Sequence, residues 1–133
     1  MEQTQSLLPL TPERIAYLYP KLFSEKRFDE WLELFDGRAI LVKAEKGRPV
    51  SCMNIMDVMD EQREYAAENA TFLETWHKLE IRIYGSVAIL SADYVLTTDH
   101  EIRKGVDILT LCSDERGWLI YNLTYEQKEL ITL

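Results

Sequence analysis

The sequence predicts an α+β fold in which a curved antiparallel sheet wraps around three N-terminal helices and leaves a pocket between the two layers. Three observations carry this expectation. Helical spacing of apolar residues is confined to the first half of the chain. From Phe72 onward the period changes to two, and Gly85 to Tyr125 reads as three long strands ending in GVDILTLCSDERGWLIYNLTYE. Helices followed by a run of strands is an α+β order, not the alternation of a parallel βαβ sheet.

Thr11 followed by Pro12 is a helix start, a capping hydroxyl with proline at the first helical position. Ile15, Leu18, Tyr19, Leu22 and Phe23 then form one stripe, and Pro20 predicts a kink or break because it lacks a backbone donor. A second helix over residues 28–35 presents Phe28, Trp31, Leu32 and Phe35 on one face, and Asp36-Gly37 ends it. Residues 39–43 and 49–52 are short apolar runs around the turn-like EKGRP, hence a small hairpin or two edge strands. Asn54 caps a third helix carrying Ile55, Val58, Met59, Gln62 and Tyr65, ending near Ala67. Alternation over 72–84 places Leu73, Thr75, His77, Leu79, Ile81 and Ile83 on one face, taken as inner, and Glu74, Trp76, Lys78, Glu80 and Arg82 on the other. Strands 87–98, 102–112 and 118–125 follow, joined by Gly85-Ser86, Asp99-His100 and SDERG.

A chain of 133 residues, 47% hydrophobic, suits one domain with its own core, expected over residues 11–133 after a loose leader of residues 1–10. The net charge of -8 repels phosphate backbones and anionic headgroups, so neither nucleic acid nor a membrane surface is an expected partner. No segment reads as a signal peptide or a membrane span, which predicts a cytoplasmic location. Cys52 and Cys112 read as buried reduced thiols. His77 and His100 lie on different segments without a ligand cluster, so no metal and no cofactor is expected.

The helical pair ending in EWLELFDGRAILV, the segment GSVAILSADY and the strand GVDILTL followed by GWLIYNLTY resemble the nuclear-transport-factor-2-like superfamily over residues 11–125. That group has a cone-shaped, cystatin-like α+β fold. It includes polyketide cyclases (SnoaL-like proteins), ketosteroid isomerases and scytalone dehydratase. The resemblance implies a pocket at the wide end of the cone. Laid against the ketosteroid isomerases, Tyr19 falls at the oxyanion-hole tyrosine and Asp107 at its protonated aspartic acid partner. The position of the catalytic base is occupied by Lys43, so His77 would have to substitute.

Tyr19, His77 and Asp107 are therefore the candidate catalytic set. His77 on an apolar face is either a hydrogen-bonded core residue or a working group, and Asp107, alternating with Leu109 and Leu111, is a buried acid either paired or functional. Strand 87–98 is partly apolar on both faces: turning Ala88, Leu90, Ala92, Tyr94 and Leu96 inward is favoured because it leaves Asp93 in water, whereas turning Val87, Ile89, Ser91, Asp93 and Val95 inward would make Asp93 a second buried acid beside Asp107. On the last strand Trp118, Ile120, Asn122 and Thr124 share the inner face. Trp31, Phe35, Lys43, Met56, Met59, Tyr94, Leu109 and Asn122 complete the candidate ligand-binding set. Apolar members at helical spacing read first as core.

Three functional classes follow: a binding protein for a small apolar or aromatic molecule, a cofactor-independent isomerase or lyase acting on a carbonyl-bearing substrate, and an accessory subunit. The last rests on RFDEWL, which is similar to the start of the small subunits of ring-hydroxylating dioxygenases. Trp76, Tyr84 and alternate residues on later strands predict an aromatic outer sheet face suited to a homodimer.

Overall fold

A computed structural model describes residues 9–133. The elements are α1 (Pro12–Ser24), α2 (Phe28–Leu32), β1 (Phe35–Glu45), β2 (Arg48–Asn54), α3 (Ile55–Ala67), β3 (Phe72–Tyr84), β4 (Val87–Thr98), β5 (Glu101–Asp114) and β6 (Gly117–Thr132). One six-stranded sheet has the order β2-β1-β6-β5-β4-β3. All neighbours are antiparallel except β1 and β6, which run parallel. The helices cover its concave face, and the sheet stays open, with β2 and β3 as edges.

The helix caps are as expected. Thr11 Oγ1 accepts from the Arg14 backbone N–H at 3.1 Å, and Asn54 Oδ1 from that of Asp57 at 3.0 Å. Pro20 does not break α1, which is helical from Pro12 to Ser24. One lost backbone bond is outweighed because Ile15, Leu18, Tyr19, Leu22 and Phe23 are buried on both sides of it. The second helix is shorter than its periodicity suggests, ending at Leu32, and Phe35 opens β1. Of the expected leader, residues 1–8 lie outside the described residues; Leu10 is buried and bridges Gly117 rather than hanging loose. Cys52 is exposed on the edge strand β2 and Cys112 is half-buried, so the pair is not interior as expected.

Three β-bulges decide which residues face inward. In β3 the register slips between His77/Asp93 and Glu80/Ser91, and Lys78 takes a left-handed φ of 54°. Upstream of the slip Phe72, Glu74 and Trp76 face the helices; downstream Ile81 packs on the core. In β6, Asn122 pairs with Thr110 but Ile120 with Leu111, so Tyr121 is the extra residue and parity inverts there too. A third slip, at Lys104/Gly105, brings β6 backbone against Gly105: a β-carbon there would lie 1.9 Å from the Glu126 carbonyl oxygen and 2.8 Å from Tyr94 Cε2.

Gly105 is thus fixed by close backbone approach, and Gly105→Ala is expected to cost about 3 kcal/mol. Urea denaturation measures this as a lowered midpoint at unchanged slope.

Candidate functional site

The concave sheet face and all three helices enclose a cavity of about 440 Å3. Its aromatic wall is contributed by Tyr19 and Phe23 of α1 and Trp31 of α2. The Tyr19 ring stacks on Trp76 at a centroid distance of 4.8 Å and meets Trp31 at 5.5 Å. Phe72 packs against Phe23 and Phe28, anchoring β3 beneath the helices. The Ser24 hydroxyl donates to the Glu74 carbonyl at 3.1 Å and accepts from its N–H at 2.8 Å. These contacts hold Glu74 and Trp76 inward.

Two carboxyl groups lie in this wall. Asp107 is only 4% exposed and Glu74 8%. Burial pushes Asp107 up to about 7, offset in part by the Trp76 indole N–H, which donates to Asp107 Oδ2 at 2.9 Å. Burial and then the charge of Asp107 push Glu74 well above the carboxylate range, and its Oε2 is buried without a hydrogen-bond partner among the described residues. Glu74, held protonated by burial and by the nearby charge of Asp107, does not ionise together with it. Tyr19, Tyr94 and Tyr125 line the same cavity. Burial first and Asp107 second raise all three, Tyr125 to about 12, so their hydroxyls stay protonated donors at neutral pH. The arrangement places phenolic donors beside a buried carboxyl at one cavity wall.

Toward the mouth the lining becomes polar: Lys43, Ser51, Glu61, Gln62, Arg103 and Gln127. Lys43 Nζ pairs with Glu45 Oε1 at 3.0 Å. Arg103 Nε donates to Glu101 Oε1 at 2.7 Å, and the guanidinium carbon lies 5.1 Å from the Tyr65 ring centroid. Among the described residues no group of three or more metal-ligating side chains exists, and no helix is long and apolar enough to cross a membrane.

No protein-family model matches the chain, and no curated protein matches it. Solved structures do. A candidate scytalone dehydratase from Novosphingobium aromaticivorans superposes with a TM-score of 0.76 at 10% identity, covering 91% of this chain and 84% of that one. The beta subunit of the benzoate 1,2-dioxygenase from Burkholderia mallei gives 0.69 at 13% identity, covering 87% of each. An NTF2-like protein of unknown function from Shewanella baltica gives 0.62 at 15%, covering 85% and 87%. The chain has the nuclear-transport-factor-2-like fold. At these identities the likeness is one of architecture.

Within this nuclear-transport-factor-2-like cone, five of the sequence-derived candidates line the cavity: Tyr19, Trp31, Lys43, Tyr94 and Asp107. Phe35, Met59 and Leu109 are buried in the core instead, Phe35 against Trp31 with centroids 4.7 Å apart. Met56 points outward, 53% exposed. His77 is also outside: it is exposed, and its Nε2 bonds the Thr75 hydroxyl at 2.9 Å. Phe72 sets the parity of the upstream half of β3, which puts His77 on the convex face, outside the cavity. Asn122 is turned away by the Tyr121 bulge, donating to the Ile40 carbonyl at 3.2 Å and accepting from Thr124. Sequence reasoning missed Glu74, Trp76, Arg103 and Tyr125. The available signal was Phe72 itself, whose burial puts Glu74 and Trp76 on its own side.

Asp107 binds its proton more tightly when folded than when unfolded. Its effect on stability is therefore most favourable below the unfolded value of 3.8 and is lost as pH rises toward about 7. Relative to Asp107→Asn, the wild-type chain should lose stability between about pH 4 and 7, on the order of 1 kcal/mol per pH unit. Chemical denaturation across that range checks it; parallel curves contradict it.

Proposed function

We propose that this protein binds a flat, largely apolar small molecule bearing a carbonyl or hydroxyl group, and that Asp107 with Glu74 exchanges a proton with that group. This is the chemistry of a cofactor-independent isomerase or lyase of the dehydratase type. The observation that carries the reading is the buried carboxyl pair on an open cavity, with Asp107 held near neutrality. Tyr19 and the protonated acid would donate to the ligand oxygen, and the deprotonated partner would accept a proton. Lys43 remains at the mouth with Glu45, and Trp31 forms part of the flat wall.

The accessory-subunit reading draws on the likeness to dioxygenase beta subunits. A cavity filled by side chains would favour it; the volume of about 440 Å3 supports a ligand instead. 2-Tetralone, an enolisable ketone, tests the proposal through exchange of its α-protons with D2O, followed by NMR. Acceleration over buffer is expected, reduced about 100-fold in Asp107→Asn. No acceleration by the wild-type protein refutes the proton transfer.

The proposal includes a homodimer through the convex sheet face. Trp76 takes no part, being stacked inside on Tyr19. The face instead exposes Val87, Tyr84 and Ile108, the last 43% exposed. Light scattering should report a dimer that Ile108→Glu converts to a monomer; a monomeric wild-type chain disproves it.

A further inference from the structure

The cavity mouth holds a cation whose hydrogen-bonding capacity is only partly used. Arg103 Nε donates to Glu101 Oε1, and its Nη2 lies 2.7 Å from the same oxygen. The Tyr65 ring packs against the guanidinium while its hydroxyl donates to that oxygen at 2.8 Å. The fork is held from two sides, yet Nη1 has no partner among the described residues. A fixed, half-buried guanidinium with spare donors is the complement of a carboxylate.

Its placement sets the length of what it would hold. Arg103 and Asp107 lie on one face of β5, four residues apart in a stretch paired regularly with β4, so their Cα atoms are about 13 Å apart. Gly105 between them contributes no side chain, and the Tyr94 ring lies over it as a floor. Lys43 and Arg103 are each paired with one carboxylate, Glu45 and Glu101, but only Arg103 is also held by an aromatic ring, that of Tyr65. The chain's net charge of -8 repels anions in general, so anion capture depends on a local guanidinium.

We propose that Arg103 is the specificity-determining residue of the cavity and that the ligand is an aromatic or alicyclic carboxylic acid. Its carboxylate meets Arg103, and a hydroxyl or carbonyl at the opposite end meets Tyr19 and Asp107. The inference rests on the cavity being a ligand site, as proposed above. Calorimetric titration near neutral pH with 6-hydroxy-2-naphthoate and with its methyl ester separates the two ideas. The acid should bind about tenfold or more tighter than the ester. Arg103→Gln should abolish that preference, and Arg103→Lys should keep part of it. Equal binding of acid and ester by the wild-type protein overturns the carboxylate assignment while leaving the pocket standing, whatever the variants do. A preference lost in Lys43→Gln but kept in Arg103→Gln also overturns it, and binding of neither compound removes the pocket reading together with this one.

Discussion

The packing of Phe72 against Phe23 and Phe28 fixes which way the edge strand β3 faces, and the interior chemistry follows from it. With Phe72 inward, Glu74 and Trp76 must be inward as well, since side chains alternate along a strand. Trp76 then stacks under Tyr19 and reaches across β4 to Asp107, where Ala92 presents only a methyl group. One aromatic contact thereby ties α1, β3 and β5 around a buried acid.

Holding two carboxyls in such a wall is unfavourable unless they are neutral or hydrogen-bonded. The structure does a little of each: the indole N–H satisfies one oxygen of Asp107, and burial keeps Glu74 protonated. Burial raises the carboxyls and the surrounding tyrosines together, so the cavity presents mainly donors at neutral pH. An apolar core could fill the same space more stably, and its retention as a lined hollow supports a binding role.

Much of this was legible in the sequence, and the misplaced site residues on the strands share a cause. Helix starts at Thr11 and Asn54 were readable because capping is local chemistry, and the strands because alternation is strong. Tyr19 and Asp107 lie in the cavity wall because neither the helical stripe of α1 nor the alternation of Asp107 with Leu109 and Leu111 crosses a bulge. His77 and Asn122 were misplaced because parity was carried along each strand across a bulge that inverts it. In β3 the greasier alternating set is convex only upstream of the bulge, while its member Ile81 downstream packs on the core, so a single parity over the whole strand put His77 on the wrong side and the tertiary anchor at Phe72 corrects it. In β6, Ile120 is inward as expected, but the extra residue Tyr121 sends Asn122 outward and brings Leu123 and Tyr125 in. A bulge is a property of paired strands, and a single strand's letters do not announce it.

The serine at the end of α1 has a consequence for how copies of this chain can meet. By occupying both the N–H and the C=O of Glu74, Ser24 removes a rung to which an incoming strand would bind. Left-handed Lys78 disrupts the next stretch of the same border, and Pro49 withholds a donor at the opposite border. Both margins of the sheet are thus poor templates for strand addition, which disfavours runaway fibrous stacking and confines self-association to contacts made flat against flat.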